Sequence, residues 1–301
     1  MDPTPQFSTI VVTYRRDTVL AATIGHLRRL IGGRADHELV LVDNNADGID
    51  REPLLQGFHR ARLVRAVENT GVAGGRNLGI KAASGEVLVF LDDDAFAYPP
   101  EFLDRIGAAL SNSPDTGILA FKSLVRKHGT WGMDPCEFPH TDKSVNPDAP
   151  FETFRFIGVG HAVRSAVFRE VGLYLPEFFY SMEEFDLSYR ALKRGWRIEY
   201  RPEIWVLHMR DKAGRDVPAA VAERALVNKM RVAWMHLPWR QMLICMAAWS
   251  ARTAIRSGGR ANVLRAWAAF LRWRKNAPVP RLPMPPSVMA QISACGGQPW
   301  K

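Results

Sequence analysis

Apolar and polar residues alternate in blocks along the first part of the chain. "STIVVTY" at 8–14 is short and β-branched, which predicts a buried strand. A helical pattern follows to about Leu30, with Asp17 placed to cap it and Gly32-Gly33 to end it. Apolar runs at 38–45, 61–67, 86–94 and 116–121 read as further strands. Between them, 71–84 reads as a glycine-rich loop leading into a helix stopped near Gly85. The stretch 99–114 reads as a helix opened by prolines. Strands alternating with helices predict an α/β layer with a mostly parallel sheet over the first ~120 residues.

The pattern then loosens. Residues 122–153 read as a long loop, or a small excursion with its own strands. Residues 154–172 read as strand, glycine turn and helix, 183–195 as a helix, and "RIEYR" and "IWVLHM" as two strands. From 211 the chain reads as helices to about Lys275. The proline-rich "APVPRLPMPPSV" beyond is expected to be non-helical.

Charge adds a division that hydropathy does not show. The 301 residues carry a net charge of +9. After Glu223 there are 13 Lys and Arg and no Asp or Glu, so the first 223 residues carry 9 − 13 = −4. Six of the nine tryptophans lie in that basic tail. In 262–275, Val263, Trp267, Phe270 and Leu271 share one helical face, away from Arg265, Arg272 and Lys275. This is the form of a helix lying on an anionic membrane. The competing reading packs that face on the body. Nucleic acid is a weak third, because no binding motif accompanies the charge. Cys136, Cys245 and Cys295 are scattered with no CxxC pair, which suits a reducing cytoplasm. The sequence shows neither a secretory leader nor an apolar run of ~18 residues. A location on the inner face of the cytoplasmic membrane is expected.

Five motifs carry candidate chemistry. In "VFLDDDA", Asp92, Asp93 and Asp94 follow a buried strand, at the strand end where open α/β sheets bind ligands. Strand alternation sends Asp92 and Asp94 one way and Asp93 the other. Three adjacent carboxylates repel, and Mn²⁺ or Mg²⁺ would offset that while holding a diphosphate. Asp43 in "VDNN" could accept from a base or ribose, or form an Asx turn. "ENTGVAGGRN" offers glycines for close backbone approach to phosphates and Arg76 as a donor fork, or is a plain helix start with glycine turns. It is not a dinucleotide fingerprint, because no glycine cluster follows the first strand. "SMEEFDLSYR" gathers Glu183, Glu184 and Asp186 at a helix start, where acids suit the dipole and one could serve as a base. His208 in "VLHM" ends a strand.

Taken in order, "IVVTYRR", "LVDNN", "ENTGVAGGRNLGI", "VFLDDDA", "GVGHAVRSAVFREVGLY", "EEFDLSYRALKRGW" and "VLHM" resemble the family 2 inverting glycosyltransferases of bacterial cell-surface polysaccharide synthesis, rhamnosyltransferase-like members included. The resemblance covers about residues 7–210. It implies a GT-A fold, a Rossmann-like sheet flanked by helices. The nucleotide-sugar half would span about 1–121 and the acceptor half about 122–210, with 211–301 as a basic helical extension. By position, Thr13, Tyr14 and Arg16 would border the nucleoside, and Asp43 would recognise the base. Asn69, Gly71, Arg76 and Asn77 would line the ribose and diphosphate. Asp92 would face the ribose, with Asp93 beside it in the same motif. Asp94 and His208 would bind a divalent metal, and Glu184 would be the catalytic base. The family's acidic pair is commonly Glu-Asp; here it is Glu-Glu, so Glu183 stays an alternative base. Trp131 and His161 are candidates for acceptor contact. The donor would be a UDP- or dTDP-sugar and the acceptor a glycan or lipid-linked hydroxyl. Two other readings compete: a sugar-phosphate nucleotidyltransferase, whose Gly-rich basic loop after the first strand is missing, and a non-catalytic nucleotide-sugar-binding module.

Overall fold

The computed structural model describes residues 4–127, 129–142, 144–210, 218–277 and 280–298. The expected boundary after residue 210 and the tail's Trp300 fall at or among residues outside that set. The strands are β1 (Phe7–Thr13), β2 (His37–Asp43), β3 (Ala61–Arg65), β4 (Val87–Asp92), β5 (Ala95–Tyr98), β6 (Thr116–Lys127), β7 (Thr130–Met133), β8 (Phe151–Thr153), β9 (Gly160–Arg164) and β10 (Arg197–His208). The helices are α1 (Asp17–Ile31), α2 (Gly71–Ala82), α3 (Phe102–Asn112), α4 (Ser165–Val171), α5 (Glu183–Lys193), α6 (Pro218–His236), α7 (Trp239–Arg256), α8 (Val263–Lys275) and α9 (Pro286–Ala294).

One sheet has the order β3-β2-β1-β4-β9-β6-β10-β5, with β7 beside β6 and β8 beside β10. Strands β1 to β4 pair in parallel, as their unbroken Val, Ile and Leu runs predict for strands covered on both faces. Strand β9 runs against β4 and β6 and separates the two parallel sets. Strand β5 was not foreseen. It is only four residues long, and it pairs antiparallel with the end of β10, matching Ala95 to His208. The two strands expected at the end of the acceptor half are one, β10, irregular between Arg201 and Trp205.

Helix α2 begins at Gly71, without the phosphate-facing loop that the glycines suggested. Gly75 and Gly79 let it sit against β1: a Cβ would come within 2.5 Å of Val12 Cγ1 at the first and 2.4 Å of Ile10 Cγ2 at the second. Asp17 also differs from expectation. It lies inside the first turn of α1 and pairs with Arg51, and it does not cap the helix.

The tail helices share one hydrophobic cluster with α5 and a face of the sheet, from Ile10 and Phe90 to Leu226, Met230, Phe270 and Ile292. Phe270 is buried and Val263 and Trp267 are partly covered, so most of the face expected to meet lipid packs inward; Leu271 stays exposed. Burying one such aromatic is worth about 2–3 kcal/mol, enough to favour the inward packing. The proline-rich stretch runs into α9, where Pro286 takes the first helical position and lacks only an N–H that would be unbonded there anyway.

Candidate active site

Sheet register builds the centre of the site. Asp92 ends β4, and Ala95 opens β5 opposite His208, so residue 94 lies beside the imidazole. The Met209 N–H donates to the Asp94 carbonyl at 2.9 Å and fixes the approach. His208 Nε2 lies 3.5 Å from Asp94 Oδ1. Asp92, Asp94 and His208 each present a ligand atom, all within 4.8 Å of one another. Two hard carboxylates and one imidazole suit Mn²⁺ or Mg²⁺. Asp94 is fully buried, and Asp92 has 37% of its side chain exposed, which opens the cluster to solvent.

Asp93 points the other way, as alternation requires. Thr13 Oγ1 and Arg16 Nη1 both donate to its carboxylate at 2.8 Å. Burial raises its pKa to about 6, against the pull of Arg16 and Thr13. Arg16 also reaches Asp94 at 3.3 Å. The end of β1 and the aspartate run are therefore one ionic unit. Tyr14 stands beside it, half-buried, its ring 5.0 Å from the Arg15 guanidinium.

Glu137 has no signal in the sequence. It sits in a short helical turn at Pro135–Glu137 and accepts from His208 Nδ1 at 2.9 Å. Ser123 and Arg210 also donate to it. Burial would push Glu137 up, but His208, Ser123 and Arg210 hold it down to about 2. Burial would lower His208, but Asp94 and Glu137 hold it up at about 9. With Nδ1 on a carboxylate, Nε2 is the nitrogen turned toward Asp94. Metal-binding histidines are commonly oriented in this way.

Arg76 of α2 joins this cluster to α5. Its guanidinium is buried over the Tyr174 ring, 5.7 Å from the centroid. It lies 3.6 Å from Asp92 and 3.3 Å from both Glu183 and Glu184, and it donates to the Gly158 carbonyl at 3.0 Å. Glu183 is 2% exposed and Glu184 17%. Burial and then the Glu184 charge hold Glu183 above the usual carboxylate range. Asp186 is engaged elsewhere, by Arg190 and by His236, at 2.8 Å each. Gly158 explains how these groups fit. A Cβ there would lie 2.2 Å from Glu184 Oε1 and 2.7 Å from Arg76 Nη2.

Other predicted residues have internal partners. Both Asp43 oxygens accept within the protein, from Asn45 at 2.7 Å and Arg51 at 2.9 Å. Asn77 spends its amide on the Tyr174 backbone. Asn69 accepts from Asn44 and from the Gly71 N–H. Gly71 has φ +70 and lies against Phe179, whose carbonyl accepts from the Val72 and Ala73 N–H groups. Those donors, expected to face phosphates, serve the chain itself. Trp131 stands on β7, 39% exposed. His161 is fully buried between Phe90 and Phe156, so the expected acceptor contact fails: no acceptor reaches a ring at the centre of the sheet.

A family model described as Glycosyl transferase family 2 matches residues 8–172, just over half of the 301 residues. The chain belongs to glycosyl transferase family 2. Validoxylamine A glucosyltransferase of Streptomyces hygroscopicus subsp. limoneus is 29% identical over 196 residues, 64% of this chain and 40% of that protein. GalNAc-T7, solved with UDP, GalNAc and Mn²⁺, superposes with TM-score 0.62 at 18% identity, over 91% of this chain and 57% of that one. The Pyrobaculum calidifontis mannosyltransferase PcManGT, solved with GDP-Man and Mn²⁺, gives 0.59 at 17% identity, over 97% and 79%. The chain thus spans less than half of the Streptomyces relative. The fold of this family 2 chain is the expected GT-A arrangement, with helices added at the C-terminus.

Proposed function

We propose that this family 2 glycosyltransferase moves a sugar from a UDP- or dTDP-linked donor to a hydroxyl of a glycan or lipid-linked acceptor, with inversion, in bacterial cell-surface polysaccharide synthesis. The observation that carries the proposal is the position of Arg76. One buried guanidinium lies within 3.6 Å of Asp92 and 3.3 Å of Glu184, so the metal-binding acids and the base lie either side of it. Asp92, Asp94 and His208 would hold Mn²⁺ or Mg²⁺, which stabilises negative charge on a leaving diphosphate. Tyr14 and Arg16 border the nucleoside, and the buried Thr13 and Asp93 stand behind them, with Asp93 holding Arg16.

Glu184 takes the proton from the acceptor hydroxyl as its oxygen attacks the anomeric carbon. It is preferred to Glu183 because a base must meet an acceptor arriving from solvent, and Glu183 is 2% exposed. Arg76, 3.3 Å away, holds Glu184 in position. Attack opposite the leaving group inverts the centre without a protein nucleophile. Two Mn²⁺-bound structures of the same fold support the metal assignment. A tail without acids supports work at an anionic membrane, on its cytoplasmic side. Among the described residues no helix is long and apolar enough to cross a membrane.

The test is calorimetric titration of UDP and dTDP, with and without Mn²⁺, against the wild type, Asp94→Ala and Glu184→Gln. Metal-dependent binding lost in Asp94→Ala and kept in Glu184→Gln, with donor turnover nearly abolished in the latter, is the expected result. Metal-independent binding, or equal loss in both variants, would overturn the assignment.

A further inference from the structure

Helix α7 has an outer side unlike that of an ordinary soluble helix. Met242, Cys245 and Met246 are buried on its inner side. At ~100° per residue, Trp239, Leu243, Ile244 and Ile255 fall on one outward arc. They are 59%, 60%, 50% and 79% exposed. The exposed positions of α7 are Trp, Leu, Ile, Ala and Arg, with no acid and no neutral polar side chain among them. A solvated helix face is normally polar.

Arg240, exposed, stands within this arc, and Arg252 follows its Ile255 edge. Arg252 and Arg256, one turn apart, and Arg260 just beyond the helix rim a groove of about 330 Å³ between α6 and α7. Its floor is apolar, from Ala222, Ala225 and Trp249. None of the three guanidinium groups pairs with a carboxylate among the described residues. The chain has no acid after Glu223, and Glu223 is already engaged by Arg265.

We propose that the outer face of α7 lies in the surface of an anionic phospholipid bilayer. Trp239, Leu243, Ile244 and Ile255 enter the acyl boundary, and Arg240, Arg252 and Arg260 meet lipid phosphates. This deepens the reading of the tail as a membrane element and rests on it, but moves the contact from α8 to α7. Charge complementarity selects the occupant. A second copy of the same face would bring its arginines near their own kind. A nucleic acid would leave the leucine and isoleucine side chains without apolar partners. A bilayer satisfies both sets at once. Because α7 packs on α6, and α6 on α5, docking would set the tilt of the site toward a lipid-linked acceptor.

The test is flotation of the full chain with phosphatidylcholine vesicles, with and without phosphatidylglycerol. The wild type floats only with phosphatidylglycerol present and is released by salt. Leu243→Glu with Ile244→Glu abolishes flotation. Arg240→Gln, Arg252→Gln and Arg260→Gln together weaken it roughly a hundredfold, at about fivefold per cation. This second variant changes exposed side chains only and guards against misfolding of the first. Retained donor hydrolysis in both variants separates failure of docking from failure of the catalytic reading. Wild type that does not float with phosphatidylglycerol, variants that float like wild type, or a dimer dispersed by Leu243→Glu would each overturn the proposal.

Discussion

Asn228, in the first tail helix, donates its side-chain amide to the carbonyl of Ser181 at 2.9 Å, two residues ahead of Glu183. The same amide reaches the carbonyls of Phe178 and Tyr180. The segment it holds is strained. Phe179, Ser181 and Met182 have φ of +57°, +78° and +75°, values that residues with a Cβ rarely adopt. The tail therefore supports the start of the helix that carries the acidic pair.

Asn228→Ala should lower stability by about 1–3 kcal/mol, the range for leaving buried polar groups unpaired. It should also reduce turnover while nucleotide affinity is retained, since α5 moves and the nucleotide-side residues do not. Urea denaturation beside calorimetry and kinetics checks both. Turnover unchanged at full stability loss would mean that Asn228 supports only the fold.

Glu137→Gln tests the orientation of His208. Glutamine keeps the shape but removes the negative charge facing Nδ1, so Mn²⁺ affinity should fall 10–100-fold. Titration of Mn²⁺ followed by electron paramagnetic resonance reads this without donor or turnover. Unaltered affinity would reduce Glu137 to a partner of Arg210 and Ser123.

Gly158→Ala places a methyl group 2.2 Å from the unshifted position of Glu184 Oε1. Glu184 and Arg76 must both yield. Turnover should drop on the order of a hundredfold, as it does when a catalytic group shifts by about an ångström. Melting temperature and nucleotide binding, measured on the same protein, should change little. A variant with normal turnover would show that the base is not held at this position during reaction.

His37 supplies a pH dependence outside the site. It is buried on β2 against Thr9, and burial lowers its pKa to about 4. Its unfolded value is about 6.5. Between these values the unfolded chain binds a proton that the folded chain refuses, so stability falls as pH falls through that window. The contribution lost by about pH 4 approaches ~3 kcal/mol. His37→Gln should flatten this part of the urea-midpoint profile relative to wild type. Parallel profiles would remove the assignment.

Much of the donor half was legible in the sequence, because its signals are local. A β-branched run such as "IVVT" predicts a covered strand, and aspartates directly after "VFL" emerge at the carboxyl end of theirs. The alternation that separates Asp93 from Asp92 and Asp94 follows from the strand period. The glycines of α2 were misread because their cause is non-local: they fit Ile10 and Val12, more than 60 residues away in sequence. His161 was misread for the same reason. Directly after Gly158 and Gly160 it resembles a loop residue, but β9 threads the middle of the sheet and buries it.

The sequence by itself determined the α/β order, the place of the aspartate run and the acidic helix start, and the split between an acidic body and a basic tail. These follow from short-range periodicity, chain direction and charge count. Only tertiary structure decided which distant groups meet. The β5–β10 register brings His208 to Asp94, the Pro135–Glu137 turn brings Glu137 to His208, and Arg76 spans Asp92 and Glu184. It also decided which apolar face of the tail stays outside. Helix α8 has one apolar stripe and α7 has apolar residues on two sides, and competition for one hydrophobic cluster buries Phe270 while leaving Leu243 and Ile244 in the open. Such choices depend on the summed packing of the whole chain, which no local pattern encodes.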